Sequence, residues 1–588
     1  MSTKLLLVES PHKAQSISKF LGKDFIVLAS YGHITDLAKG GKHGIGIDID
    51  NEFKTHYVLQ KDKVSVLEKI LEAAKNVNEI ILLTDNDREG FCISYQLQER
   101  LSGINIPIKR GVFNEITKKS VLKAIKEAGP INMNIVWAGT GRRVLDRIVG
   151  FKASPFLQNS INAASAGRVQ SVLTRMIIER QEQIDSFIPV DFWTLQANLI
   201  KGKDNFTTKY PFKINDQKTA DDLKSKLNNQ DFIVSEVLAE EDKKYPDPPF
   251  ITSSIQGYMS KKHGFDAERT MKSLQKLYEN GFCTYLRTDS KRCSDEAIEE
   301  ARKFIKSSNF ELVKKPYIYA NSDAAQDAHE CLRPCDLNIH PDTQTEITDP
   351  DQKLVYETIY RYFVASQMAP SIFNTLKVTV HPQNDPTIKL KVSGKALKSP
   401  GYLEMLNITD NSSIDIPFLQ VGDIVKLSLN GIKVEKKQTQ PPPRFSEDKL
   451  IKELVAKNIG RPATYADLLS KVTARNYVEK KGQIYFPTAL GSQVTHLLCK
   501  YFSFMDYDYT AKMEKQLDLI EAGKITYLDM LNEFYPKFKA ELDKAYTDFG
   551  TIMCEKCGNP MIERTNKKDN SKFLACSGYP KCYNTKSL

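Results

Sequence analysis

At 588 residues the chain is too long for a single hydrophobic core, so several domains are expected. Its 41% hydrophobic and 27% charged residues, without a long low-complexity tract, are ordinary for a globular protein, and no apolar run approaches the roughly 18 to 20 residues of a membrane span. The opening "MSTKLLLVESPHKAQ" does not read as a signal peptide, and the net charge of +10 permits a polyanionic partner without establishing one.

Residues 1–125 alternate short apolar runs with helical patterns. "KLLLVES", "DFIVLAS" and "EIILLTD" read as buried strands, and "HKAQSISKFLG", "KVSVLEKILEAAKN" and "CISYQLQERL" as helices. That alternation predicts an α/β domain with a mainly parallel sheet. "TDNDREG" places Asp85, Asp87 and Glu89 directly behind a strand, at the edge where α/β sheets bind ligands. A calcium loop would need a bidentate Glu at its twelfth position, where Gln96 stands, and an entering helix where this chain has a strand-like run. The first strand also ends on an acid, Glu9, with Lys13 following. If the two strands are neighbours, four carboxylates and a lysine share one site, suited to Mg²⁺ and phosphate oxygens. Crowding would also keep one carboxyl protonated as a general acid. A solvated acidic turn is the alternative.

Residues 130–190 read as helical and basic. Period-2 alternation marks about 191–240 and again about 375–435, on either side of a helical stretch at 251–365, which predicts a domain inserted between the halves of another. "QTQPPPRFS" is a stiff connector, and Ser446 behind it is a helix N-cap candidate. Of the ten cysteines, Cys554, Cys557, Cys576 and Cys582 form C-x2-C-x18-C-x5-C, the spacing of a four-thiolate Zn²⁺ ribbon. Around the second pair, Phe573 and Tyr579 interleave with Lys572 and Lys581. They would either stack on single-stranded nucleic acid or pack inward.

"VESPHKA" followed by "LLTDNDREG" resembles the toprim signature, with one departure: Phe91 follows Gly90 where type IA DNA topoisomerases commonly carry Glu, which we read as altered packing. "GFCTYLRTDS" resembles the active-site segment of that family, with a Tyr nucleophile and an Arg two positions on, here Tyr285 and Arg287. Without that resemblance "TYLRT" reads as an ordinary strand. Further segments follow in family order: "LASYGHITDL" with His33; "RRVLDRIVGF" with Arg142, Arg143 and Arg147, and Lys152 just beyond; "SAGRVQS" with Ser165, Ala166, Gly167, Arg168, Val169 and Gln170; "QDAHECLRP" with His329, Glu330 and Arg333, where Cys331 and Leu332 replace the usual Ala-Ile; and "RPATYADLL" with Arg461, Thr464 and Tyr465. The wording is similar to bacterial topoisomerase I, and no G-x-x-x-x-G-K-[ST] occurs, so nothing points to ATP.

The resemblance implies a toroid. Toprim would span 1–125, a helical DNA-binding domain 126–190 and 436–550, a β-rich arch 191–245 and 366–435, a Tyr-bearing domain 246–365 and the ribbon 551–588. It implies a monomer that is cytoplasmic and DNA-associated, without a membrane, and that relaxes negatively supercoiled DNA through a 5′-phosphotyrosine. Tyr285, Glu9, Lys13, Arg287 and His329 would be catalytic, and Glu9, Asp85, Asp87 and Glu89 would hold Mg²⁺. His33, Arg143, Arg147, Lys152, the 165–170 segment, Arg461 and Tyr465 would contact DNA. Two other classes remain open on the residues alone: a toprim primase and a non-catalytic DNA-binding module.

Overall fold

The computed structural model describes residues 3–40, 44–163, 165–321, 329–552, 554–566 and 569–587. Near the amino terminus four parallel strands lie in the order Phe25–Ala29, Lys4–Val8, Glu79–Leu82, Ile108–Arg110. The first and third acid-bearing segments are therefore direct neighbours, with Leu7 opposite Leu82. Leu5 to Val8 and Ile80 to Leu83 are all fully buried, as expected for strands covered on both faces by helices. Among those helices are Pro11–Ser18, Val64–Ala74, Arg88–Leu101 and Lys118–Lys126.

A 29-residue helix, Met133–Ile161, follows, and Asn162 ends it in the left-handed conformation at φ 52°. With Arg168–Asp185 it packs against the C-terminal helices Ala489–Tyr501, Tyr507–Glu521 and Tyr527–Asp548, and one apolar cluster joins Val144, Leu145 and Phe156 to Leu517, Phe534 and Tyr546. Strands from 191–244 and 371–438 close into a six-stranded barrel. Strand Phe232–Lys244 pairs antiparallel with Ser371–Pro382 across the intervening helical segment. That segment carries the helices Thr252–His263, Ala267–Glu279, Asp295–Ser307 and Pro350–Ala365. The ribbon forms a three-stranded antiparallel sheet from Met561–Thr565, Lys572–Cys576 and Thr585–Ser587.

Two local expectations are revised. "TYLRT" is not a strand: 284–288 is irregular, and its backbone donors find separate partners, Thr284 N–H on the Arg333 carbonyl at 2.9 Å and Tyr285 N–H on the Asn114 carbonyl at 2.6 Å. Ser446 does occupy the N-cap position of helix Glu447–Ala456, but its hydroxyl bonds the Asp448 carboxylate instead of a backbone amide.

Candidate active site

Asp87 is the N-cap of helix Arg88–Leu101 and accepts the Gly90 amide at 2.8 Å, so the acidic cluster lies at the positive end of that helix. Gly90 is required there. A Cβ at this position would lie 2.2 Å from the Asp85 carbonyl oxygen. The other Asp87 oxygen accepts the Tyr285 hydroxyl at 2.6 Å and Arg287 at 3.0 Å. Burial alone would raise the Asp87 carboxyl. The Arg287 charge, the Tyr285 hydroxyl and the Gly90 amide overcome it and hold the group at about 2. Burial, with the Asp87 charge beside it, pushes the Tyr285 phenol well above its ordinary value.

Glu9 accepts the Asp85 amide at 2.9 Å. Burial, then repulsion from Asp85, raises its carboxyl to about 8, which leaves it protonated at neutral pH. Lys13 is buried and ion-paired with Asp85, and Tyr278 donates to the same Asp85 oxygen at 3.3 Å. Despite its burial, Lys13 is held above its ordinary value by Asp85 and Glu9.

Beside these groups opens a cavity of about 740 Å³, lined by seven arginines (88, 142, 143, 147, 287, 461, 475) against five carboxylates (87, 89, 146, 289, 467). Three lining residues, Arg147 (Nη1), Ser165 (Oγ) and His329 (Nδ1), have buried polar atoms without a hydrogen-bond partner among the described residues. Nε2 of His329 donates to the Asn86 carbonyl at 2.6 Å, which leaves Nδ1 as the open nitrogen. The two open donor groups, Arg147 and Ser165, suit a phosphate-bearing ligand in this basic cleft, while the open ring nitrogen of His329 suits a hydroxyl donor.

Asp87, Glu89, Arg143, Arg147, Ser165, Ala166, Arg287, His329 and Arg461 all line this cavity. His33 stands behind it, between Gln96 and Glu89. Others do not face it. Arg168 is fully buried against Glu514 at 2.7 Å and Asp146 at 3.3 Å, an internal ion pair in place of an open phosphate contact. Val169, Gln170 and Tyr465 are buried in packing, and Gly167 precedes the same helix as its N-cap. Lys152 lies towards Lys539, Asp543 and Cys576, on the ribbon side, where burial lowers it. Sequence reasoning missed Arg88, Asp289, Arg475 and the contacts Tyr278 and Glu279. Arg88 and Asp289 stand inside the quoted motifs, whereas Tyr278 and Glu279 show only as part of an amphipathic helix. Phe91 packs its ring 3.7 Å from the buried Arg110 guanidinium, which in turn bonds the Asp85 carbonyl.

The acids offer only hard oxygen donors, and two of them, Asp87 and Glu89, open onto the cavity, enough for an Mg²⁺ that keeps most of its waters. Asp85, also expected as a ligand, is ion-paired with Lys13, as Asp87 is with Arg287 and Glu89 with His33. At the other end of the chain the four ribbon sulfurs lie within 4.8 Å of one another. The Cys554–Cys582 and Cys557–Cys576 separations are 3.7 and 3.3 Å. Tetrahedral zinc thiolates sit about 3.8 Å apart, so this set fits Zn²⁺. In the ribbon, Tyr579 is exposed and stacks edge-on with Tyr583, while Phe573 is half-buried. Lys572 and Lys581, both exposed, pair with Glu563 and with Asp48 and Asp50.

Fold and site together define a toprim enzyme whose acids meet a tyrosine carried on a separate unit. Residues 130–532 match the family model described as DNA topoisomerase, residues 4–116 the Toprim domain, and residues 551–588 the topoisomerase DNA binding C4 zinc finger. The chain is similar to the solved structure of full-length topoisomerase I from Thermotoga maritima in a monoclinic crystal form, with a TM-score of 0.82 and 31% identity over 99% of this chain and 97% of that one. The chain belongs to the DNA topoisomerase family, in its bacterial type IA topoisomerase I branch. It is an ATP-independent, single-strand-cleaving topoisomerase with an Mg²⁺-binding toprim domain and a zinc ribbon, and relaxation of supercoils is its expected activity. No helix among the described residues is long and apolar enough to cross a membrane.

Proposed function

We propose that this enzyme works as a monomer on single-stranded segments of negatively supercoiled DNA, with Tyr285 as its nucleophile. The carrying observation is the convergence of Tyr285 and Arg287 on one oxygen of Asp87, where Asp87 and Arg287 line a cavity rich in arginine and Tyr285 is buried behind them.

A strand laid in the cavity would meet Arg143, Arg147 and Arg461, and its phosphate would meet Arg287, with His329 beside it. The Tyr285 oxygen attacks phosphorus, the bond to the 3′ oxygen breaks, and that oxygen takes the proton of Glu9. The phenol proton leaves along the existing hydrogen bond to Asp87. It moves in step with the attack, because a carboxylate at about 2 is too weak a base to remove it first. The phosphodiester energy is conserved as a 5′ phosphotyrosine, and the reverse sequence reseals the strand. Lys13 holds Asp85 in place behind the reacting groups. When bound, Mg²⁺ would sit on Asp87 and Glu89 and neutralise phosphate charge.

Passage of a second strand requires the Tyr-bearing unit to leave the toprim unit. Several of their contacts are exchangeable polar ones: Ser10 to Glu279 at 2.7 Å, Arg333 to Glu115 at 3.0 Å, and the Tyr285, Arg287 and His329 bonds. An apolar cluster also spans both units, from Val8 and Phe113 to Leu277 and Tyr285, so the closed state is the resting one.

The test is plasmid relaxation with Mg²⁺ and without ATP. A Mg²⁺-dependent shift of topoisomers in wild type, and a covalent 5′ adduct that disappears in Tyr285→Phe, are expected. An adduct that survives the substitution overturns the assignment, and primer synthesis from nucleoside triphosphates would favour the primase alternative.

A further inference from the structure

Cys293 and Cys331 stand 38 positions apart, yet their sulfurs lie 3.2 Å from each other. The backbone holds the approach: the Cys331 amide donates to the Arg292 carbonyl at 2.8 Å, and the Leu332 amide to the Phe250 carbonyl at 2.8 Å. Cys331 is fully buried. Cys293 is half-buried and directly precedes Ser294, the N-cap of helix Asp295–Ser307, so Cys293 is the residue of the pair partly open to solvent. Closing to an ordinary S–S bond requires a movement of about 1 Å. Cys331 stands where the related motif carries Ala, and neither thiol belongs to the zinc set or lines the cavity.

We propose that Cys293 and Cys331 form a modification site for peroxides, placed beside the nucleophile; its effect on DNA cleavage rests on the assignment of Tyr285. The Cys293 sulfur attacks one peroxide oxygen, the O–O bond breaks, and a sulfenic acid and one water result. The Cys331 sulfur then attacks the Cys293 sulfur, the S–O bond breaks, and the departing hydroxide takes the Cys331 proton as a second water. Two thiols lose two electrons in all, and one hydrogen peroxide is reduced to two waters.

The cross-link acts on the reacting groups through a short path. The Cys331 carbonyl accepts the hydroxyl of Thr284, the neighbour of Tyr285, at 2.9 Å, and His329 lies two residues before Cys331. Drawing Cys331 towards Cys293 shifts the segment that positions both.

The experiment treats full-length, zinc-loaded protein with hydrogen peroxide, alkylates the remaining thiols, and maps the peptides by mass spectrometry alongside relaxation assays. Wild type is expected to yield a peptide joining Cys293 to Cys331. Its relaxation should fall by about tenfold or more, the scale set by a small misplacement of a reacting group, and return with a thiol reductant. Cys293→Ser should start at wild-type activity and keep more of it after peroxide; Cys331→Ala serves the same purpose if that variant folds poorly. No linked peptide, Cys293 recovered only as sulfinic acid, or an equal loss in wild type and the Cys variants would overturn the proposal. The Tyr285→Phe protein should still give the linked peptide, so a failure of the nucleophile assignment shows in untreated enzyme and not in the map.

Discussion

The hydroxyl of Tyr285 donates to Asp87 across 2.6 Å although 198 positions separate the two residues. One belongs to an irregular loop, the other caps a helix at the edge of a parallel sheet, and in the proposed mechanism the bond joins two units that part for a strand to pass. Removing the hydroxyl tests this pairing most directly. Tyr285→Phe keeps the ring that packs against Tyr278 at 5.3 Å, so the fold and DNA affinity should persist while strand cleavage disappears. Mobility shift and denaturing-gel cleavage assays separate the two, and a matching loss of binding would assign Tyr285 a structural role.

Glu9 sets a pH dependence with a definite sign. Its carboxyl lies at about 8 in the folded protein against an ordinary 4.5, so the protonated acid that the leaving oxygen needs is lost as pH rises through about 8. Because the folded value is the raised one, the stability linked to this proton is complete below 4.5 and lost as pH climbs through about 8. Single-turnover cleavage should fall across that window in wild type, and Glu9→Gln should be slow throughout with no such step. A wild-type profile flat through the window would remove Glu9 as the acid.

Arg168 and Glu514 are both fully buried, and the Glu514 carboxyl, which burial would raise, is held at about 2 chiefly by Arg168. Arg168→Met strands the acid, at a cost of about 3–5 kcal/mol, whereas Arg168→Met with Glu514→Leu should recover most of it. Urea denaturation measures both. If the single variant is as stable as wild type, the pair carries no structural weight and a direct role for Arg168 on DNA regains ground.

Zinc removal should act locally. The ribbon's own cluster is small, with Cys554, Met561 and Cys576 as its buried members and Ile562 packed instead on the helical core, so thiolate coordination supplies much of its folding energy. A chelator should expose residues 554–587 to protease while the helices joined through Phe156 and Tyr546 stay protected. Loss of protection throughout the chain would mean that the ribbon, docked through Lys581 on Asp48 and Asp50, supports the whole assembly.

Several parts of this site are legible in the sequence. Strand neighbours could be anticipated because Glu9 and Asp85 each follow a short apolar run of the kind that parallel sheets bury on both faces. The zinc ribbon was legible from spacing, since four thiolates must meet one ion and the chain between them is short. The basic segments were harder to read. Arginine patterns look alike whether they face a groove or an internal acid, and only the packing of helix Tyr507–Glu521 turns Arg168 inward to Glu514 while leaving Arg143 and Arg147 on the cavity.

By itself the sequence determined the chemistry available: alternating α/β elements, hard acids behind two strands, one tyrosine–arginine pair in a recognisable setting, and four thiolates at ribbon spacing. These are local properties, carried by side-chain period and short-range spacing. Only the tertiary structure decided which of those groups meet. It brought Tyr285 and Arg287 onto one oxygen of Asp87, gave Asp85 to Lys13, buried Glu9 deeply enough to keep its proton, and set Cys293 against Cys331. Each of these depends on contacts between distant segments, whose burial and charge fix protonation and reach in ways that no single segment encodes.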